Sequence, residues 1–313
     1  MAGVGLGRSR HRGRPDRAVG WRAADELRGF ATAVRLGWRV EANWADPALF
    51  AIYSVAKPLA GVLILVVMVD VVSGGASGDV RAFVVIGSSL WAFVQNGVAG
   101  LGMSVLDDRE RYRMLRYLAV SPPDLGTILV GRGVARLGVG LSGALVTLVA
   151  GVAVLGVPFE PTRVAWPATV AAFALGLAGI VGIGIVMAAI CLQTRQEAWY
   201  YPEAVAGALF LVSGAVFPLR VLPAPLQAAG LATPVTWWIE GVRRGLFPDA
   251  ASAVGGPGSL FAGLTGALAP DVATTLLALS ATGAIGTLAA IGAFRLSERR
   301  AKDLGLYDQT TGS

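Results

Sequence analysis

The sequence holds one cysteine, Cys191, and one histidine, His11. A lone thiol excludes an intrachain disulfide, and without a Cys/His cluster there is no zinc-type site. Charge is scarce as well. Asp, Glu, Lys and Arg make up 15% of the 313 residues, against about 25% in a typical soluble domain. With 55% hydrophobic residues, that deficit places the chain among polytopic membrane proteins. Lysine is almost absent. Its two copies, Lys57 and Lys302, each follow alanine, so the phosphate-binding pattern GxxxxGK[ST] is missing. The tetrapeptide LSGA at 141–144 lies inside an apolar run and is no soluble nucleotide signature. No two carboxylates share an expected membrane span, and no span holds a histidine. The chain is therefore not expected to be an enzyme, to hold a metal or to bind a cofactor itself. The net charge of +6 is carried by arginines at particular ends of apolar runs. It is read as a topology signal and not as nucleic-acid binding. The basic N-terminus lacks a following apolar core and small-residue cleavage site, so a cleaved signal peptide is not expected.

What the chain does have is length of apolar sequence. Crossing a bilayer core of about 30 Å takes ~20 apolar helical residues. Spans are expected at about 53–72, 82–105, 128–157, 168–192, 204–219 and 272–294. Lys57 and Asp70 bracket the first and are placed at its two interfaces. Gln95 and Asn96 lie near the middle of the second, where amides are expected to hydrogen-bond another helix. Arg132 and Arg136 begin the third, one turn apart. Gly176, Gly179, Gly182 and Gly184 in the fourth allow close helix packing. Trp199, Tyr200 and Tyr201 form an aromatic belt.

The stretch 221–245 is ambiguous. It is apolar at first but carries Pro223, Pro225 and Pro234, then Glu240, Arg243 and Arg244. Parity decides. With six spans, both basic ends fall inside, together with the nine arginines before residue 50, Arg109, Arg111, Arg113, Arg116, Arg132, Arg136 and Arg195. The outside keeps Arg81, Arg163, Arg220, Arg243 and Arg244, the asymmetry of the positive-inside rule. The stretch is then expected to dip into the outer leaflet and return as broken helices covered by protein. The fold class is all-α: six transmembrane helices, an N-terminal interfacial helix and an external re-entrant hairpin at about 221–245. Residues 1–20 are expected as a disordered basic tail, 21–300 as the transmembrane domain and 301–313 as a cytoplasmic tail.

Two segments are amphipathic. In 21–44, Leu27, Phe30, Ala31, Val34 and Trp38 recur at helical spacing opposite arginines, the pattern of a helix lying in membrane lipid at the interface. In 106–124, eight charged residues (Asp107, Asp108, Arg109, Glu110, Arg111, Arg113, Arg116 and Asp124) separate two apolar runs. Local pairing of Asp107 with Arg111 and Glu110 with Arg113 predicts a short cytoplasmic helix. Tyr112, Leu115 and Leu118 would line one side, and Pro122 and Pro123 would end it. On its own, such a segment need only be a solvated loop that sets topology. The middle portions of spans two, four and six carry no charge, so an ion-coupled mechanism has no obvious groups and energy is expected from outside the chain.

At this point the residues resemble the ABC-2 type permeases, the membrane subunits of bacterial ABC exporters, and especially their drug-exporter branch. The resemblance rests first on LVSGAVFPLRVLPAPLQAAGLATPVTWWIEGVRR at 211–244, where Ser213, Gly214, Phe217, Pro218, Leu222, Pro223, Pro234, Thr236 and Arg243 match an SGxxFP…LP…PxT…R arrangement. It rests also on the charged loop after span two, ending in Ser121 and Pro122, and on the order of parts. One departure is that Arg111, Tyr112 and Arg113 stand where many relatives have a Glu-Gly-Thr-like step. The resemblance implies a homodimer, or a heterodimer with a second permease, in a bacterial cell membrane, with both termini cytoplasmic. ATP would be bound by a separate subunit. Contacts to that subunit would come from Asp107, Asp108, Glu110, Arg113, Leu115, Arg116 and Leu118, and from the interfacial face of Leu27, Phe30, Val34 and Trp38. The external hairpin, with Glu240 added to its motif residues, would gate the outer side. The cargo implied is hydrophobic or amphipathic, an antibiotic or a lipid. Alternatives are a permease for polysaccharide or glycolipid, a secondary carrier and a non-transporting assembly protein.

Overall fold

The computed structural model describes residues 15–42, 47–74, 78–121, 124–194 and 198–305. Residues 1–14 of the basic tail, Pro122, Pro123, Arg195, the C-terminal 306–313 and the side chain of Lys57 lie outside the described residues. Among the described residues the regular structure is helical throughout. The helices are α1 (Pro15–Ala42), α2 (Pro47–Ser73), α3 (Gly78–Leu106), α4 (Leu115–Ala119), α5 (Leu125–Leu155), α6 (Trp166–Gln193), α7 (Tyr200–Val212), α8 (Ala224–Ala232), α9 (Pro234–Leu246), α10 (Leu260–Thr265) and α11 (Val272–Asp303).

Four helices are long and apolar enough to cross a membrane by length and composition: α3, α5, α6 and α11. Leu59–Val71 of α2 and the whole of α7 are shorter apolar helices. At 1.5 Å per residue α7 is only about 20 Å long, and it ends at Val212 rather than at Leu219 as expected. The reason is local. Gly214 takes a left-handed backbone (φ 71°) and Pro218 is extended, so the SGxxFP motif is where the helix stops. α1 begins at Pro15, inside the stretch expected as tail, and α11 runs on to Asp303, past the expected end of the last span.

The bundle is built around α3. Of its apolar window 83% is buried inside the protein, against 17% for α11, so α3 is the central helix and α11 a peripheral one. Val62 and Val66 of α2, Leu137 of α5, Ile180 and Met187 of α6, Ala206 of α7 and Trp238 of α9 share one core with α3. Phe93 stacks on Trp238 with centroids 5.2 Å apart. Small residues permit the closest approaches. Ala33 and Gly37 of α1 lie against Gly131 and Ala135 of α5, and Gly182 of α6 faces Thr287 of α11. Gly245 of α9 lies against Thr169 of α6, while the N–H of Ala165 donates to the carbonyl of Gly245 at 2.9 Å.

Candidate functional site

At the C-terminal end of α3 the short helix expected within 106–124 does not form in one piece. After Leu106 the backbone widens into a π-type turn, Asp107–Arg111, closed by Tyr112 N–H on the Asp107 carbonyl and Met114 N–H on the Asp108 carbonyl, both at 2.8 Å. Arg113 then takes φ 50°, the sole positive φ on a non-glycine among the described residues. That conformation costs an L-residue about 1–2 kcal/mol. Helix resumes only at α4.

The widened turn aims three consecutive side chains at three neighbours, in place of the local pairs expected. Asp107 accepts from Arg136 of α5 at 3.2 Å, and the same guanidinium reaches Glu41 of α1 at 2.8 Å and Ser104 Oγ at 2.9 Å. Asp108, fully buried, pairs with buried Arg132 of α5. Arg109, also buried, holds Glu110 at 2.8 Å and donates to the carbonyls of Cys191 and Thr194 at 3.0 and 2.9 Å. It thereby caps the C-terminus of α6, where a cation suits the helix dipole. Charges this deep persist only when paired and hydrogen-bonded. The sequence sets Arg132 and Arg136 one turn apart at the start of the third span, without naming partners for them. Their spacing of one turn, facing two adjacent acids at the end of the preceding apolar run, was the signal that could have paired them.

The expected contact residues therefore divide. Asp107 and Asp108 point into the bundle, and Leu115 (1% exposed) packs with Leu106, Leu125 and Phe294. Leu118 is half-buried against the same cluster. Glu110 is mostly covered and tied to Arg109. The outward surface consists of Arg111, Tyr112, Arg113, Arg116, Tyr117 and Val120. Arg116 lies over the Tyr117 ring at 4.6 Å and donates to its hydroxyl at 2.6 Å. On α1, Phe30 and Val34 are half-buried beside the Ala33–Gly37 line, whereas Leu27 and Trp38 face outward.

The other expected cluster does assemble. Arg243 of α9, completely buried, donates to the carbonyls of Gly214 and Ala215, each at 3.0 Å, and lies 3.8 Å over the Phe83 ring. Gly87 of α3 leaves the room for this, since a Cβ there would collide with Ala215 and with Arg243. Thr236 Oγ1 donates to the Val212 carbonyl at 3.3 Å and lies 3.0 Å from Thr233 Oγ1. Buried Glu240 accepts from Ser252 Oγ at 2.6 Å and from Ala253 N–H at 2.8 Å. Ser213, Gly214, Thr236, Glu240 and Arg243 thus converge. Pro234 opens α9, Pro223 precedes α8, and Phe217 and Pro218 form the half-buried turn after α7. Ser252, Ala253, Gly87 and Phe83 were not legible as parts of it.

Between the two clusters a groove of about 650 Å³ runs along α3, walled by α2, α5 and α7. Gln95 and Asn96 line its middle. The loops at the other ends are also tied: Asp70 and Arg81 join α2 to α3 at 3.0 Å, and Arg163 and Asp249 join the connection before α6 to that after α9. The Asp249 carboxylate beside Arg163 holds its guanidinium above the usual arginine range. The Thr274 side chain and then its N–H, which donates to Asp271 at 3.0 Å, hold the Asp271 carboxyl below the usual carboxylate range.

A search among curated proteins returns no match. A family model described as ABC-2 type transporter matches residues 35–247. That match covers more than half of the chain, from the second half of α1 through α9, and includes the π-type turn, the groove helices and the buried hairpin cluster, so the chain belongs to the ABC-2 type transporter family.

Proposed function

We propose that this chain is the membrane subunit of an ATP-driven exporter in a bacterial cell membrane, powered by an ATP-binding subunit on a separate chain. α2, α3, α5, α6, α7 and α11 are the six spans, with both termini inside and α8–α9 as the re-entrant outer hairpin. Two copies, or one copy and a related permease, enclose the export path between them. The cargo is hydrophobic or amphipathic, an antibiotic or a lipid.

The observation that carries this reading is the division of labour in the segment after α3. One side of it presents arginines and tyrosines to the outside (Arg111, Tyr112, Arg113, Arg116, Tyr117). The other side is locked by Asp107, Asp108 and Arg109 to α5 and α6, and through Arg136 to Glu41 of α1. A push on the outer side is therefore delivered to three helices at once. Removing one partner of a buried ion pair costs about 3–5 kcal/mol, so the segment moves as a unit with its neighbours. The docking contacts are Arg113 and Arg116, with Leu118 at their base. Leu27 and Trp38 of α1 extend the surface along the membrane face.

Co-expression with a candidate ATP-binding subunit tests this directly. Arg113→Glu with Arg116→Glu should abolish co-purification and ATP-dependent transport while leaving the permease folded. If coupled transport survives the double charge reversal, this surface is not the docking site. Transport by the chain alone under an ion gradient would instead establish a secondary carrier.

A further inference from the structure

Resting on the export reading, we infer that the groove along α3 selects positively charged amphiphiles, with Glu203 as the residue that reads the charge. The groove follows α3 from Ser88 to Met103, about 22 Å at 1.5 Å per residue. That length takes it from the inner end of the bundle most of the way through a bilayer core of about 30 Å.

Two formal charges flank its inner mouth, Arg136 from α5 and Glu203 from α7. The Arg136 side chain lies over Gly100, and Pro202, next to Glu203, lies over Gly102, so both groups sit at the same level of α3. They are not electrically equivalent. Arg136 is committed to two carboxylates, Glu41 and Asp107, and to the Ser104 hydroxyl. Glu203 is exposed and has no ion-pair or hydrogen-bond partner among the described residues. The charge left facing the groove is therefore negative.

The neutral groups deeper in lean the same way. Asn96 donates its amide N–H to the Ala92 carbonyl at 2.8 Å, which leaves its acceptor oxygen available. Gln95 makes no hydrogen bond among the described residues. Beyond them Trp91 and Phe210 stand with ring centroids 4.9 Å apart, an apolar wall whose faces also favour a cation. An anionic head would meet an unpaired carboxylate at the mouth of the groove. An ammonium head gains one, with acceptor oxygens ahead of it and apolar surface for its tail.

The probe set is three dansyl-labelled dodecyl amphiphiles ending in trimethylammonium, hydroxyl or sulfate. Each is titrated onto the purified full chain in phosphatidylcholine nanodiscs, with empty nanodiscs subtracted. The cation should bind at least about tenfold tighter than the alcohol, a difference of ~1.4 kcal/mol, and the sulfate weakest. Glu203→Gln should bring the cation to the level of the alcohol and leave the alcohol unchanged. Equal binding of cation and alcohol, or a preference that survives Glu203→Gln, would overturn the inference while leaving the export reading intact. A Glu203→Gln variant that weakens all three probes alike and melts earlier would also overturn it, by assigning Glu203 to the N-terminus of α7. Failure of the export reading shows elsewhere, as a complex with the ATP-binding subunit that transports none of the three.

Discussion

The two charged clusters, inner and outer on the proposed topology, both bury charge but satisfy it differently. At the inner end, acids meet bases on other helices, Asp108 with Arg132 and Asp107 and Glu41 with Arg136, and Arg109 alone turns to backbone carbonyls. At the outer end, charge meets mainly backbone: Arg243 donates to the carbonyls of Gly214 and Ala215, and Glu240 accepts from Ala253 N–H and the Ser252 hydroxyl. A side-chain ion pair joins two bodies and lets each keep its own backbone geometry. A guanidinium bonded to consecutive carbonyls dictates the local path of the chain. On the exporter reading proposed above, the inner cluster would link helices that move, while the outer one holds the turn after α7 in one shape.

Substitutions can break that contrast at either end. The largest effect is expected from Asp108→Ala, which strands buried Arg132 and should cost about 3–5 kcal/mol. Replacing both partners with apolar residues, Asp108→Leu with Arg132→Met, should recover most of it in thermal unfolding of the purified chain. At the outer end no such recovery by a single partner exchange is possible. Arg243→Lys removes the planar guanidinium that stacks on Phe83 and whose one terminal nitrogen serves both carbonyls, and the loss should be about 1.5–3 kcal/mol, with Arg243→Ala no better.

Gly87→Ala comes next. A methyl forced between Ala215 and Arg243 should destabilise by about 1–3 kcal/mol, and protease sensitivity of the 213–218 turn should rise. Arg113→Gly should stabilise slightly, by no more than ~1–2 kcal/mol, because glycine adopts φ 50° without the Cβ penalty. Arg113→Val should do the reverse. The smallest effect belongs to exposed Asp271, whose depressed pKa makes its capping contribution complete above the ordinary carboxylate value of about 3.9. Asp271→Ala should melt marginally below wild type at neutral pH, and the gap should close as pH falls through the depressed value.

Much of the architecture was readable from hydropathy. The cores of α3, α5, α6 and α11 lie where uncharged runs exceed the length a helix needs, and Pro223 and Pro234 mark the starts of α8 and α9. The hairpin motif was readable as a set because its Gly and Pro demand particular backbone. The inner cluster was not. A helical-period reading of 106–124 rewards local pairs such as Asp107 with Arg111, whereas the bonds that form join Asp107 to Arg136, 29 residues on, and Arg109 to Thr194, 85 residues on. Periodicity carries no information about such distant partners. It also carries none about a π-type turn, which changes by one residue which side chains face inward. The early end of α7 was missed for a related reason: Ser213 to Val216 is apolar enough to pass for helix, and the left-handed Gly214 is invisible to a hydropathy window.

On the exporter reading proposed above, motion enters through the π-type turn. The most direct test of this is the number of cargo molecules exported per ATP hydrolysed, measured in proteoliposomes with the ATP-binding subunit. The variant is Asp108→Asn with Arg132→Gln, which removes the charges but keeps a polar pair of similar size. The ATP-binding subunit should still dock and hydrolyse ATP while transport per ATP falls at least about tenfold, a loss of ~1.4 kcal/mol of coupling. Unchanged transport per ATP in a folded, docked complex would contradict entry of motion through the turn.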